Sequence, residues 1–139
     1  MIIFNYFNYF LWRWKIKDGI LLVDKTKGKS SFDVIRILRR KLGIRKMGHA
    51  GTLDPLASGL LIIGVEKGTK KLNGYLHLPK TYIIDVLLGK QTDTGDMEGK
   101  IISEKKVGEI PQEEIEKVLK SMEGEIELTV PIYSALKLK

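Results

Sequence analysis

Short, largely apolar runs bounded by polar or glycine-containing stretches predict the strands of this chain. They occupy residues 19–23, 60–65, 82–88, 100–103 and 126–128. A continuous apolar run of this length is typical of a buried strand. Asp85 is a polar interruption in the third run.

The stretch after Ser30 has the period of an amphipathic helix that ends at Gly43. Ser30 can cap the first turn, and Asp33 three residues later makes a weaker form of the Ser-x-x-Glu capping box. The apolar positions that share one face are Val34, Ile35, Leu38 and Leu42. Basic residues occupy much of the remaining surface, namely Arg36, Arg39, Arg40 and Lys41.

Two more helices are predicted, one over residues 68–78 with Thr69 as its cap and one over residues 112–122. The apolar face of the second comprises Ile115, Leu119 and Met122, and its stop signal is Gly124. Polar loops are predicted at residues 24–29, 48–59 and 91–99. Because strands and helices alternate irregularly, the predicted fold class is α+β.

The first fourteen residues, MIIFNYFNYFLWRW, are apolar and aromatic. They are shorter than the roughly 20 apolar residues that span a bilayer, and they lack the charged start and cleavage site of a signal peptide. They fit an interfacial anchor, an extra strand, or an extension from a misassigned start codon. We expect the last of these, which makes residues 1–17 an N-terminal extension and residues 18–139 the folded domain, with no membrane association.

Charge is distributed unevenly along the chain. Residues 13–46 contain twelve Lys/Arg against three Asp, whereas residues 47–139 contain twelve Lys/Arg against fourteen Asp/Glu. A basic N-terminal third fits a polyanion such as nucleic acid, and it also fits a solvated, lysine-rich surface. The absence of cysteine excludes disulfides, thiolate metal sites and a cysteine nucleophile, and it fits a reducing compartment. We expect a cytoplasmic protein.

The glycine-framed loop around Asp54 is the main candidate for chemistry. The two histidines, His49 and His77, are far apart and have no cysteine partners, so no metal site is predicted. Phosphate-binding loops and the Gly-x-Ser-x-Gly elbow are absent. Pro55 restricts Asp54 to extended conformations, which suits either a rigid catalytic carboxylate or the start of an Asp-Pro turn. The glycines that frame this loop are Gly48, Gly51 and Gly59.

Six segments, in order, resemble the motifs of the bacterial tRNA pseudouridine-55 synthases, the TruB family. The most specific is GHAGTLDPLASGLL at residues 48–61, which is similar to GH-x-G-x-LDP-x-A-x-G-x-L. The others are residues 19–25 with Gly28 and Ser31 (DKPxGxTS), residues 68–70 (GxxTK), residues 80–82 (KxY), residues 92–94 with Asp96 and Gly99 (TDTxDxxG), and Pro131 with residues 133–137 (PPxYSALK). The resemblance covers residues 18–139.

The resemblance implies the pseudouridine synthase catalytic fold, a mixed and mainly antiparallel sheet flanked by helices. It implies that Asp54 is the catalytic carboxylate that isomerises the T-loop uridine at tRNA position 55. The carboxylate would act as a nucleophile at the sugar or base, or assist proton removal from the sugar. Because the reaction is an isomerisation, no cofactor is implied. Tyr82 would stack on the target base and help to remove the C5 proton.

The resemblance also assigns the RNA contacts. His49 would lie near the T loop and help to hold it open, while Lys25 and Lys80 would contact phosphate or order the loops. A basic surface would bind the T arm of tRNA, and it comprises Arg39, Arg40, Arg45 and Lys46. The shape of the loop would depend on Gly48, Gly51, Pro55 and Gly59. Taken singly, each of these residues also fits an ordinary structural or solvated position. We expect a monomer.

Three positions depart from the family pattern: Thr26 replaces a proline, and Leu128 and Val130 stand where the family has Gln and Pro. Family members continue further, with the rest of the catalytic sheet, the Arg that pairs with the catalytic Asp, and a small RNA-binding domain. We therefore expect this chain to be the N-terminal portion of a catalytic domain, inactive or barely stable alone. The competing interpretations are a catalytically silent tRNA-binding or tRNA-folding module, and a fragment without function.

Overall fold

A computed structural model describes residues 3–4 and 16–127 of the chain. The chain divides into two compact units, residues 1–81 and residues 82–139. The first unit contains strands β1 (Ile3–Phe4), β2 (Gly19–Lys25), β3 (Met47–Ala50) and β4 (Gly59–Val65), and helices α1 (Ser31–Leu42) and α2 (Leu72–Leu76), with a 3₁₀ helix at Glu66–Lys71. The second contains β5 (Lys90–Thr92), β6 (Ile101–Glu104) and α3 (Gln112–Ser121).

The sheet of the first unit has the strand order β1-β2-β4-β3. Strands β2 and β4 are antiparallel and pair along their whole length, with Leu21 opposite Ile63 and Val23 opposite Leu61. Strand β3 is antiparallel to β4, and the short β1 runs parallel to β2. The mixed, mainly antiparallel sheet with helices confirms the predicted α+β class. The structure thus pairs Ile3–Phe4 as an extra strand, and residues 5–15 lie outside the described part.

The core of the first unit lies where the apolar face of α1 meets one face of the sheet. Side chains alternate between the two faces of a strand, so every second residue of β2 and β4 contributes to this layer. The buried residues of the cluster are Leu21, Val23, Val34, Ile35, Leu38, Met47, Leu61, Ile63 and Val65. Three of the four apolar positions predicted for α1 belong to this cluster, and Leu42 packs against its edge.

Both ends of α1 are fixed by the capping residues that the sequence predicts. Ser30 Oγ accepts the Asp33 amide at 3.1 Å, and the Asp33 carboxylate accepts the Ser30 amide at 2.9 Å, which completes a capping box. At the other end Gly43 adopts φ 68°, and its amide donates to Arg39 O at 3.0 Å. This left-handed conformation favours glycine because it has no Cβ.

The helix predicted over residues 68–78 is instead a 3₁₀ helix at Glu66–Lys71 followed by α2. Thr69 is therefore not an N-cap, since it lies inside the 3₁₀ helix and its hydroxyl donates to Glu66 O at 2.7 Å. Within this 3₁₀ helix the backbone packs closely on β2: a Cβ on Gly68 would lie 1.9 Å from Gly19 O. The Gly68 amide also donates to the Asp18 carboxylate at 2.9 Å.

The second unit is described by itself. Strands β5 and β6 form an antiparallel pair, so the loop predicted at residues 91–99 begins inside a strand. The strand predicted at residues 82–88 is absent, because no described segment forms a ladder with it. Residues 126 and 127 are not a strand either, and Leu128 lies outside the described residues. The apolar face of α3, which the sequence predicts, is exposed.

Across residues 3–4 and 16–127, none of the helices has the length and apolar character needed to cross a bilayer.

Candidate active-site loop

The loop around Asp54 connects β3 to β4 and turns on a proline. Gly51 adopts φ +91° at the end of β3, where a residue with a Cβ would be strained. The Ala57 amide donates to Asp54 O at 3.0 Å, so Asp54 opens a β-turn with Pro55 in the second position. The turn leaves Asp54 exposed to solvent. The structure therefore contains the predicted Asp-Pro turn, and the same turn makes the carboxylate accessible.

Hydrogen bonds hold the backbone on both sides of Asp54. On the N-terminal side, Ser31 Oγ donates to Leu53 O at 3.1 Å and accepts the Leu53 amide at 2.9 Å. On the C-terminal side, the Gly28 amide donates to Pro55 O at 2.8 Å. These partners belong to the start of α1 and to the loop after β2. The Asp54 turn is thus tied to two other segments of the same unit.

Lys25 is the buried cation of the site. It is fully buried, and its ammonium group donates to Lys29 O at 2.7 Å, to Thr26 O at 3.1 Å and to Pro55 O at 3.5 Å. Burial lowers the pKa of Lys25, and the negative charge of Asp54 raises it in part. Of the two roles predicted for this lysine, the structure places it where it orders the loops. A phosphate contact would require the ammonium to leave these carbonyls.

His49 lies on β3 beside the start of the loop. Its ring Nδ1 is 2.7 Å from Gly51 O, and because a carbonyl only accepts, Nδ1 carries the proton. The preceding Gly48 is close to α2, because a Cβ there would lie 3.2 Å from Leu72 Cδ1. The His49 ring therefore donates a hydrogen bond to the Gly51 backbone where the chain leaves β3.

The predicted basic surface divides into exposed and fixed side chains. Arg40, Arg45 and Lys46 are exposed. Arg39 is half-buried, donates from Nη2 to Met47 O at 3.0 Å, and lies over the Phe32 ring at 5.8 Å from the centroid. The three exposed residues are available to an anionic partner, whereas Arg39 also joins α1 to β3.

A shallow depression follows the outer side of α1. Its lining residues are Lys29, Asp33, Arg36, Ile37 and Arg40. Hydrogen bonds from the Ser30 hydroxyl and amide, and from the Arg36 guanidinium, hold the pKa of the Asp33 carboxyl well below its usual range. Asp33 is the single acidic residue that lines this depression, and its carboxylate is already hydrogen-bonded to Ser30 and Arg36.

Lys80 and Tyr82 lie at the boundary of the two units. The Lys80 ammonium donates to Leu76 O at 2.7 Å and to Leu78 O at 2.9 Å, so it satisfies carbonyls at the end of α2. Tyr82 is the first residue of the second unit, and 65% of its surface is exposed. In the first unit, Lys25 contacts Pro55 of the Asp54 turn and His49 contacts Gly51 at the start of the same loop, whereas Tyr82 belongs to the second unit.

The motif at residues 92–99 forms a loop that is held by hydrogen bonds between its own residues. Thr92 Oγ1 donates to Asp96 O at 2.7 Å, and Thr94 Oγ1 donates to the Asp96 carboxylate at 2.6 Å, which lowers the pKa of that carboxyl. The Asp93 carboxylate accepts the Lys100 amide at 2.8 Å. The motif thus has a structural role in the β5–β6 connection.

Among the described residues, no group of three or more His, Cys, Asp or Glu side chains is placed to hold a metal.

Ser31 belongs to a motif named from the sequence, but its role at the Asp54 loop was not predicted. Its position in the motif after Gly28 marks the start of α1, but its partner Leu53 is 22 residues away. Nothing local to Ser31 predicts that contact.

The segment at Pro131 and residues 133–137, with Leu128 and Val130, lies outside the described part of the chain.

Comparison with known proteins places this loop in a family. Residues 39–139 match the model of the TruB family pseudouridylate synthase, N-terminal domain. The tRNA pseudouridine synthase B of Endomicrobium trichonymphae is 45% identical over 120 residues, which is 86% of this chain and 52% of that protein. The tRNA pseudouridine synthase B of Caldicellulosiruptor saccharolyticus is 48% identical over 122 residues, 88% of this chain and 42% of that protein. The chain thus spans about half the length of these relatives.

Solved structures share the fold. A chain in the crystal structure of a Cbf5-Nop10-Gar1 complex superposes with a TM-score of 0.59 and 27% identity, over 88% of this chain and 32% of that chain. A chain of an H/ACA RNP bound to a substrate RNA containing 2'-deoxyuridine gives a TM-score of 0.54 and 27% identity, over 81% of this chain and 30% of that chain. The sequence and the fold agree, and the chain belongs to the TruB family of pseudouridylate synthases.

Proposed function

We propose that this chain carries the catalytic loop of a tRNA pseudouridine synthase that converts the T-loop uridine at tRNA position 55, with Asp54 as the catalytic carboxylate. The observation that carries the proposal is the setting of Asp54. Its side chain is exposed, while the backbone on both sides of it is held by hydrogen bonds to Ser31 and Gly28. An accessible acid on an immobilised loop suits covalent or acid–base catalysis.

The reaction needs a positioned acid and no redox chemistry. The N1–C1′ bond of the uridine breaks, the base turns, a C5–C1′ bond forms, and the proton on C5 leaves while N1 gains one. Atoms and electrons balance without a cofactor. Asp54 attacks the sugar or the base, or assists removal of a sugar proton. A uridine inside a folded T loop must first be extruded, and an exposed carboxylate on a turn can meet it.

The remaining site residues take supporting roles in this proposal. The exposed cations Arg40, Arg45 and Lys46 bind phosphates of the T arm, and each neutralised phosphate releases counterions. His49 lies beside the turn and helps to hold the T loop open, and Tyr82 stacks on the target base. We place the enzyme in the cytoplasm as a monomer that needs no metal.

The test is pseudouridine formation in an unmodified tRNA transcript. The unmutated chain is compared with Asp54→Asn, which keeps the shape of the side chain and removes its charge. Glu109→Gln is the matched control, because it makes the same charge change at an exposed residue of the second unit. Product at the T-loop uridine with the unmutated chain and the control, and none with Asp54→Asn, supports the proposal.

Two results would count against it. Equal product from Asp54→Asn would remove Asp54 from the chemistry. Retained tRNA binding without product from any of the three chains would leave the family assignment standing and move the active unit to a longer chain; for this chain alone it would favour the tRNA-binding or tRNA-folding module, which rests on the same exposed cations. A filter-binding titration against salt accompanies the product assay, because phosphate contacts give a steep salt dependence.

A further inference from the structure

We propose that Ser31 is a positioning residue for Asp54: its hydroxyl clamps the Leu53 backbone and so sets the direction in which the carboxylate points. The inference rests on the proposed function, since it names a residue that serves the same loop. Ser31 reaches no substrate itself, because only 2% of its surface is exposed.

One hydroxyl holds both polar groups of one residue. Ser31 Oγ accepts the Leu53 amide at 2.9 Å and donates to Leu53 O at 3.1 Å. The carbonyl of Leu53 and the amide of Asp54 belong to the same planar peptide unit. Fixing that carbonyl therefore fixes the plane from which the Asp54 backbone departs. The clamp acts one residue before the carboxylate.

The other side of Asp54 is held independently. Pro55 O accepts the Gly28 amide at 2.8 Å, and Ala57 donates back to Asp54 O at 3.0 Å. The backbone on both sides of Asp54 is thus held by hydrogen bonds. Without the Ser31 hydroxyl, the Leu53 backbone on the N-terminal side loses this restraint. A misplacement of about 1 Å can cost about 100-fold in rate, so this restraint has a measurable effect on turnover.

The neighbouring serine provides a matched control. Ser30 is of the same type and lies at the same helix end, but its hydroxyl bonds to Asp33, donating at 2.6 Å to the carboxylate and accepting the amide at 3.1 Å. Ser30→Ala removes the helix cap, and Ser31→Ala removes the loop clamp. Both variants lose one hydroxyl from the start of α1, so a general loss of helix stability affects both.

The experiment measures kcat, KM and amide hydrogen exchange in the unmutated chain, Ser30→Ala and Ser31→Ala. For Ser31→Ala we expect kcat to fall by about 10-fold or more with KM for tRNA little changed, because the basic surface is untouched. We expect exchange of the Leu53 amide to accelerate in Ser31→Ala only. Ser30→Ala should stay within about 2-fold of the unmutated kcat, since its hydroxyl contacts no residue of the loop.

Two results would overturn the inference: kcat of Ser31→Ala equal to that of Ser30→Ala, or Leu53 exchange that accelerates equally in both variants. If the unmutated chain forms no product, this chain is not active alone and kcat cannot be compared, so the exchange measurement alone decides on the clamp. Selective loss of Leu53 protection in Ser31→Ala then supports it, and equal loss in both variants rejects it.

Discussion

Replacing Lys25 with methionine tests how the buried ammonium group stabilises the loop around Asp54. Lys25 is fully buried and donates to Lys29 O at 2.7 Å and to Thr26 O at 3.1 Å, with Pro55 O at the limit of hydrogen-bonding distance, 3.5 Å. Methionine fills a similar volume without donors. The substitution therefore leaves three backbone carbonyls without this partner and changes packing little.

The expected loss of stability follows from the two shorter hydrogen bonds of the Lys25 ammonium group. A hydrogen bond to a charged group contributes about 1.5–3 kcal/mol, so the gross loss is about 3–6 kcal/mol. The cost of burying the ammonium, visible in the lowered pKa of Lys25, disappears in the variant and offsets part of this loss. We expect a net decrease of about 2 kcal/mol in the free energy of unfolding.

The assay is urea unfolding followed by circular dichroism, with Lys27→Met as the control. Lys27 is exposed two residues along the same chain segment, so its substitution should change stability by less than about 0.5 kcal/mol. Equal midpoints for the two variants would refute the role given to Lys25.

The pH dependence supplies a second readout of the Lys25 substitution. Because the folded pKa of Lys25 lies below its ordinary value of 10.5, the unfolded chain binds more protons in the window just below that value. The stability of the unmutated chain therefore gains from this residue as pH rises through that window. Lys25→Met should lack that gain. An identical pH dependence in the two chains would contradict the burial of the charged group.

Two further predictions concern the frame around the loop. Gly68→Ala should destabilise the first unit severely, because its Cβ would lie 1.9 Å from Gly19 O, whereas Gly74→Ala, with nothing within 4 Å of its Cβ, should be neutral or stabilising by up to about 1 kcal/mol. Thermal unfolding of the pair measures both, and equal midpoints would refute the close approach. The folded pKa of Asp33 lies below its unfolded value, so its stabilisation is present above the unfolded pKa and is lost as pH falls towards the folded one. Asp33→Asn should flatten acid unfolding below about pH 4, the ordinary pKa of an aspartate, and an unchanged acid transition would count against this role in the capping box.

Local patterns predicted much of the first unit. The α1 helix runs from Ser31 to Leu42, between the predicted cap at Ser30 and the predicted stop at Gly43. Strands β2 and β4 coincide closely with the apolar runs at residues 19–23 and 60–65. These features depend on side-chain spacing and capping groups within a few residues of each other, which is why they can be read from the sequence.

Elements that depend on distant partners were predicted wrongly. The apolar run at residues 82–88 has the composition of a strand, but no described segment pairs with it. The segment after β4 has a helical pattern, yet its first part is a 3₁₀ helix, in which Gly68 lies close to the backbone of Gly19. A strand or a close backbone approach requires a second segment, which propensity alone does not specify.

The sequence by itself determined the family of this protein, the candidate carboxylate at Asp54 and the proline turn that presents it, because motif spacing and proline geometry are local properties. Only the tertiary structure decided how the loop is held. Lys25 and Pro55 are 30 residues apart, and Ser31 and Leu53 are 22 residues apart. Lys25 is the last residue of β2 and Ser31 the first residue of α1, and packing of that helix on the sheet brings both against the turn. Hydrogen-bond partners of a loop depend on which segments the fold brings together, and that follows from burial of the whole apolar core.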